Sequence, residues 1–167
     1  IPQTVSLPSE FRSLASKNSS LAAKPARRFL YDRGVTRADI LKWNMGYCSC
    51  GEFSERIIIP SFNVNGDVDY FVARSYGNNW KKYMNPAASR NIVFNELYVD
   101  WESDLSIVEG VFDAVVAGNA VPILGSSLRE DSRLIQKVVE HDTPVYIALD
   151  PDVETKAMRL IKKMLTL

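Results

Sequence analysis

Residues 105–113 read LSIVEGVFD, and residues 145–152 read VYIALDPD. In each stretch a short apolar run, as long as a buried strand, leads directly into acidic residues. A third apolar run occupies residues 121–124, and the segments between the runs have helical patterns. Strands that alternate with helices in this way predict a parallel sheet with helices on its faces. The second half of the chain is therefore expected to have an α/β fold.

Carboxylates follow two of these predicted strands, with Glu109 after the first and Asp150 and Asp152 after the second. Because ligands of parallel α/β sheets collect beyond the carboxyl ends of the strands, we expect the three side chains to converge there. Hard oxygen ligands clustered in this way suit Mg²⁺ or Mn²⁺. An acid at a strand end also commonly caps the next helix or faces solvent. Pro151 favours the first reading, since it ends the strand where the acids appear.

The first half of the chain has the pattern of an α+β unit. Two short helices are predicted, and the spacing of Thr36 and Asp39 predicts a capped start for the second. Strands follow at residues 56–60 and 68–74, and the Asn-Gly pair at residues 65–66 predicts a tight hairpin turn between them. This half is therefore expected to end in an antiparallel sheet.

Composition and charge restrict the classes of function. Acidic and basic side chains balance at 20 each, so the chain is not a uniformly basic nucleic-acid binder. With two cysteines and one histidine, a zinc site within the chain is not expected. No apolar run approaches the roughly 18 residues of a membrane helix, so a cytoplasmic protein without membrane association is predicted.

A basic and aromatic segment follows the predicted strands of the first half. Lys81 and Lys82 lie between Trp80 and Tyr83. Lysines neutralise phosphates and aromatic rings stack on unpaired bases, a combination typical of single-strand grooves. Any one of these residues is more often an ordinary solvated side chain. The segment as a whole predicts contact with nucleic acid.

The acidic stretches resemble a known signature. A strand followed by Glu109-Gly110-x-x-Asp113, with a strand and Asp150-x-Asp152 about forty residues later, resembles the Toprim signature. DnaG-type primases, type IA and II topoisomerases and some nucleases share that signature. The spacing alone leaves these families in competition.

The first half selects among them. The runs RIIIP at residues 56–60, YFVAR at 70–74 and KYMNP at 82–86 resemble, in order, the N-terminal subdomain of DnaG-type primase cores. The likeness is greatest to bacteriophage primases, and it covers roughly residues 24–157. It implies an α+β N-terminal subdomain followed by a Toprim-type parallel α/β subdomain. The expected division is a linker or tail at 1–23, a basic primase subdomain at 24–102 and a Toprim subdomain at 103–167.

The resemblance also implies a reaction and its site residues. It implies synthesis of RNA primers on single-stranded DNA by nucleotidyl transfer, with Mg²⁺ or Mn²⁺ held by Glu109, Asp150 and Asp152 as catalytic and metal-binding residues. Asp113 is implied as a further metal-site residue, or else it stabilises the start of its helix by its charge. The implied nucleotide- and nucleic-acid-binding residues are Arg56, Arg74, Lys81, Lys82, Tyr83 and Asn85.

The implied partners are a single-stranded DNA template and nucleoside triphosphates, with a replicative helicase and a zinc-binding domain outside this chain. The location would be the host cytoplasm if a phage encodes the protein. Two departures from the family are visible: Glu154-Thr155 replaces a small Ala-Gly pair, and a later acidic pair is missing, so we expect a truncated Toprim subdomain. A Toprim nuclease or topoisomerase-related enzyme, and a non-catalytic single-strand-binding module, remain alternatives.

Overall fold

The computed structural model describes residues 1–16, 20–126 and 128–166, and these divide into two compact units. One unit comprises Ile1–Ser61 with Asp67–Ala88, and the other comprises Phe62–Gly66 with Ser89–Leu167. The sequence placed the boundary near residue 102, where the strand pattern changes. The structure moves it earlier because Val93 and Phe94 are buried and Glu96 pairs with residues of a later helix.

The first unit contains a four-stranded sheet whose strands lie side by side in chain order. The first three are paired antiparallel. Two short helices precede the second strand. The elements are β1 (Arg12–Ser13), α1 (Lys24–Asp32), α2 (Arg37–Lys42), β2 (Gly46–Cys48), β3 (Arg56–Phe62) and β4 (Val68–Ser75).

The local signals predicted in the first half of the chain are confirmed. Thr36 Oγ1 accepts a hydrogen bond from the Asp39 amide at 3.1 Å, and the Asp39 carboxylate accepts one from the Thr36 amide at 2.8 Å. This reciprocal cap satisfies two amides that a helix start leaves without partners. At the hairpin, the Gly66 amide donates to the Asn63 carbonyl at 2.9 Å, and Gly66 has a φ of 84°. Glycine reaches this conformation without steric cost.

The tail expected at residues 1–23 is instead packed against the sheet over much of its length. β1 pairs with β2, the Val5 amide donates to the Val68 carbonyl at 2.8 Å, and Leu14 is buried. The prolines and serines of this segment give it no strand or helix periodicity in the sequence. Its structure comes from contacts with distant strands, which a local pattern does not show. Lys17, Asn18 and Ser19 of the same expected tail lie outside the described residues.

This N-terminal segment explains the burial of β4 on both faces. Side chains alternate along a strand, so one of Tyr70 and Phe71 would be expected to be exposed. Both are buried instead. Phe71 belongs to an apolar cluster against which Val5, Leu7 and Phe11 pack. The first residues of the chain therefore supply a second cover for the sheet.

The second unit has a three-stranded parallel sheet in the order Ala120–Pro122 (β6), Leu105–Val108 (β5) and Val145–Ala148 (β7), with helices between the strands. Leu105 and Ile107 of the central strand are fully inaccessible. The predicted α/β class is thus confirmed. The elements are β5 (Leu105–Val108), α3 (Val111–Ala117), β6 (Ala120–Pro122), α4 (Arg133–His141), β7 (Val145–Ala148) and α5 (Pro151–Leu165). In the part of the chain described, no helix is both long enough and apolar enough to cross a membrane.

Candidate functional site

The second unit brings Glu109 and Asp150 together at the carboxyl edge of its sheet. β5 and β7 are neighbouring parallel strands in which Val108 is opposite Ala148. Both strands end at the same edge of the sheet, so residues that follow them meet there although they lie far apart in sequence. The Asp150 amide donates a hydrogen bond to Glu109 Oε1 at 3.1 Å. This bond orients the Glu109 carboxylate.

Asp150 and Asp152 flank the start of α5. The Asp150 carbonyl accepts hydrogen bonds from the Val153 and Glu154 amides, both at 2.9 Å, and Pro151 occupies the first turn. Acidic side chains are favourable at this end of a helix because the backbone dipole is positive there. Asp152 and Glu154 lie in this first turn, and both are exposed.

Of the three acids expected to cluster, Glu109 and Asp150 are joined by the hydrogen bond from the Asp150 amide to the Glu109 carboxylate. Among residues 1–16, 20–126 and 128–166, no three His, Cys, Asp or Glu side chains are grouped so that they could hold a metal ion. The chemistry of the pair nevertheless fits a hard cation. Mg²⁺ is commonly bound through one or two carboxylates and completes its octahedral shell with water and substrate phosphates.

Asp113 has a defined role at the start of α3. Its carboxylate accepts a hydrogen bond from the Gly110 amide at 3.2 Å. Asp113 is exposed and lies in the first turn of the helix. This bond fits the reading in which Asp113 stabilises the helix start, and its assignment to the metal site stays a prediction.

The loop after β6, the strand on the opposite side of β5 from β7, supports the backbone at Glu109. The Ile123 amide donates to the Val108 carbonyl at 2.9 Å, and the Leu124 amide donates to the Glu109 carbonyl at 3.1 Å. Leu124 and Gly125 both have positive φ, at 55° and 70°, so the chain reverses sharply there. Sequence reasoning missed this support, although the glycine after an apolar run is a signal for such a reversal.

In the first unit, the predicted basic segment is an extra edge of the sheet. The Ser75 amide donates to the Lys82 carbonyl at 2.8 Å, and the Met84 amide donates to the Ala73 carbonyl at 3.0 Å. Lys81, Lys82 and Tyr83 are exposed along this edge. A hydrogen-bonded backbone thus presents two cations and an aromatic ring to solvent.

Arg56, which the resemblance assigned to nucleic-acid binding, is buried and does not lie on that surface. Only 2% of the residue is exposed. Its guanidinium donates to the carbonyls of Lys81 at 2.9 Å, Lys82 at 3.1 Å and Ala73 at 3.4 Å. Burial lowers the pKa of Arg56, and the positive charge of Arg74 lowers it further. Arg56 therefore holds the basic segment from inside the unit.

Asn85 has a similar supporting role. Its side-chain Oδ1 accepts a hydrogen bond from the Ala73 amide at 3.1 Å, which continues the pairing of the edge segment with β4. The residue is half-buried. The side-chain oxygen of Asn85 thus holds the edge segment against β4, whereas the resemblance implied that this side chain binds nucleotide or nucleic acid.

Arg74 lies between aromatic rings at the same edge. Its guanidinium carbon is 5.2 Å from the centre of the Tyr83 ring and 5.6 Å from that of Phe29. Such cation–π contacts fix the plane of the guanidinium. Arg74 is partly exposed, and its Nε is buried without a hydrogen-bond partner in the described part of the chain. Trp80, 91% exposed, lies beside Lys81 in the sequence.

Comparison with known proteins identifies the fold. No protein-family model matches the sequence, and no curated protein matches it either. Among solved structures, the Escherichia coli primase catalytic core is similar over 84% of this chain and 60% of its own, with 21% identity and a TM-score of 0.65. A DnaG primase catalytic domain bound to single-stranded DNA has the same coverage of this chain, 61% of its own, 21% identity and a TM-score of 0.66.

The primase fragment of the bacteriophage T7 primase-helicase protein is also similar, over 81% of this chain and 59% of its own, with 14% identity and a TM-score of 0.60. The chain thus spans about 60% of the length of these structures. At such identities the likeness concerns the fold. The chain has the fold of the catalytic cores of DnaG-type primases.

Proposed function

We propose that the chain carries the core of a DNA primase, which joins ribonucleotides on a single-stranded DNA template by metal-dependent nucleotidyl transfer. The observation that carries this proposal is the hydrogen bond from the Asp150 amide to the Glu109 carboxylate at the carboxyl edge of the parallel sheet. A fold hosts many functions, so the site must carry the chemistry. Two acids at this edge, in a fold shared with primase cores, favour phosphoryl transfer.

In the proposed reaction the 3′-hydroxyl of the primer attacks the α-phosphate of a nucleoside triphosphate, and pyrophosphate leaves. Glu109 and Asp150 would hold Mg²⁺ or Mn²⁺, with Asp152 beside them in the first turn of α5. The bound ion supplies charge neutralisation and in-line alignment of the reacting oxygens. Glu109, oriented by the Asp150 amide, is also the group proposed to accept the hydroxyl proton.

The template would bind the exposed edge of the first unit. Lys81 and Lys82 would neutralise backbone phosphates, and Tyr83 and Trp80 would stack on unpaired bases. One structure with this fold is a DnaG domain bound to single-stranded DNA, which supports this assignment. Arg74, preoriented by Tyr83, is proposed to contact the nucleotide or the template. A zinc-binding domain and a replicative helicase are proposed as partners outside this chain.

Glu109→Gln tests the proposal. Glutamine has the shape of glutamate and can still accept the Asp150 hydrogen bond, but it lacks the charge needed for the metal and the proton. Primer synthesis is expected to fall by roughly 100-fold or more, because a lost acid–base group costs 10²–10⁴ in rate. Template binding, measured by fluorescence anisotropy of a labelled oligonucleotide, should be unchanged. Glu102→Gln is a matched control, since Glu102 is an exposed acid of the same unit.

A binding-only module is the second candidate function. The exposure of Asp152 and the capping role of Asp113 favour it, because they leave fewer acids committed to a metal. Wild-type protein that binds the template but makes no primer with Mg²⁺ or Mn²⁺ would establish this alternative. Full synthesis by Glu109→Gln would instead refute the role given to Glu109.

A further inference from the structure

The second unit contains a cleft that the proposed chemistry leaves unused. Its volume is about 310 Å³. It opens between the segment 90–92 and the loop that joins β6 to α4, of which residues 123–126 and 128–132 are described. Two arginines, Arg90 and Arg129, line it together with the hydroxyl-bearing Ser126 and Ser132.

Hydrogen bonds tie the two walls of this cleft together. Arg90 Nη1 donates to the Leu124 carbonyl at 3.0 Å, and Asn91 Nδ2 donates to the Asp131 carbonyl at 3.0 Å. The Arg133 amide donates in turn to Asn91 Oδ1 at 2.9 Å. The cleft is therefore a fixed opening whose shape is set by the fold.

The charges that line the cleft favour an anion. Arg90 and Arg129 outnumber the one lining acid, Asp131, which lies 3.4 Å from Arg129 in a salt bridge with both side chains about 70% exposed. The nine-residue helix α4 begins at this cleft with Ser132 as its cap, so its positive end adds to the field. The backbone at Gly125 passes close to Arg90, since a Cβ there would lie 3.4 Å from Arg90 Nη1.

The cleft is continuous with the backbone of the candidate active site. Leu124, whose carbonyl accepts from Arg90, donates its own amide to the Glu109 carbonyl. A phosphate in the cleft would therefore lie in the loop that supports the acid pair. Arginine is suited to phosphate because its planar fork of donors matches two phosphate oxygens at once.

We propose that this cleft binds a phosphate group of the substrate through Arg90 and Arg129. The inference rests on the proposed function, which names the substrate as a nucleotide or a nucleic acid. The phosphate would belong either to the triphosphate tail of an incoming nucleotide or to the backbone of a nucleic-acid strand. The same recognition chemistry serves both.

Binding of two probes in the absence of divalent metal tests the proposal. Inorganic triphosphate, followed by calorimetry, represents the tail, and a labelled oligo-dT, followed by anisotropy, represents the backbone. Arg90→Ala and Arg129→Ala should each weaken one probe about tenfold, the loss expected for one charge-assisted hydrogen bond. Asp131→Asn should strengthen the same probe, because it removes a competing negative charge. Arg159→Ala, at an exposed position of α5, is the matched control.

The outcomes separate the sources of the phosphate. A loss confined to triphosphate assigns the cleft to the nucleotide tail, and a loss confined to oligo-dT assigns it to the strand. If Arg90→Ala and Arg129→Ala change neither probe more than Arg159→Ala does, the proposal is refuted.

Folding and catalysis are controlled separately. Arg90 also ties the two walls, so urea unfolding of Arg90→Ala must match wild type; should it not, Arg129→Ala and Asp131→Asn decide, since both alter exposed side chains. No turnover is measured in these experiments. A wild-type protein without primer synthesis would therefore leave their result intact and would count only against the proposed function.

Discussion

Replacement of Arg56 separates a structural role for this residue from direct contact with nucleic acid. The guanidinium is buried and donates to three carbonyls, two of which belong to Lys81 and Lys82 of the exposed basic edge. Arg56→Met keeps much of the aliphatic volume and removes all three bonds. Arg56→Lys keeps the charge but has a compact head that cannot span the three carbonyls.

The expected loss of stability follows from these contacts. A hydrogen bond from a charged donor contributes about 1.5–3 kcal/mol, so three amount to several kcal/mol before costs are subtracted. Burial of the guanidinium away from water costs several kcal/mol and offsets much of that gain. We expect Arg56→Met to lower the free energy of unfolding by about 2 kcal/mol, which corresponds to roughly 4–8 °C in Tm for a chain of this size. Arg56→Lys should lose at least as much.

Urea unfolding and oligonucleotide anisotropy together provide the assay. Both variants should bind single-stranded DNA more weakly, because the backbone that presents Lys81 and Lys82 loses its internal support. Arg28→Met, at an exposed position of α1, is the control and should leave unfolding nearly unchanged. Wild-type stability and full DNA binding in Arg56→Lys, with loss of binding in Arg56→Met, would show that the charge of Arg56 acts directly and would refute this reasoning.

Trp80→Ala should weaken binding of single-stranded DNA by about 1–3 kcal/mol, the value of one base stack. If DNA no longer quenches the tryptophan fluorescence of this variant but its affinity is unchanged, the stacking role is contradicted. Thr36→Ala should cost about 1 kcal/mol in urea unfolding by removal of the α2 cap, and an unchanged midpoint would contradict the cap. Burial, with a smaller contribution from Glu10, raises the pKa of Cys48 to about 11 from 9.0. The folded state thus favours the neutral thiol, so the free energy of unfolding should fall as pH rises from about 9 towards 11. Cys48→Ala should flatten that decline. Cys50→Ala should leave it unchanged, because the Cys50 thiol is exposed.

Local patterns predicted the elements from which the site is built. The apolar runs before Glu109 and Asp150 gave the parallel strands, and the reversal at Asn65-Gly66 was visible in two residues. Such signals depend on neighbours in the chain: backbone conformation at a glycine, a side chain that reaches an amide three residues away, or alternation of strands and helices. The proximity of Glu109 and Asp150 followed from strand direction alone.

Distances between side chains were outside the reach of those patterns. Whether Asp152 joins the acid pair depends on how α5 leaves the sheet, and the structure leaves Asp152 exposed in its first turn. The sequence left two readings of Asp113, and it did not show the hydrogen bond that the Asp113 carboxylate accepts from the Gly110 amide. Periodicity carries no information on which of several nearby carboxylates accepts a hydrogen bond from a given backbone amide.

The sequence by itself determined the class of fold, the order of the strands in the chain and the edge at which the acids gather, because these depend on local propensity and on the geometry common to all parallel sheets. Only the tertiary structure decided that Arg56 is buried and that the first residues of the chain cover β4. Burial is a property of what packs on a residue from elsewhere in the chain. An arginine or a proline-rich segment looks solvent-exposed by composition until its distant partners are known.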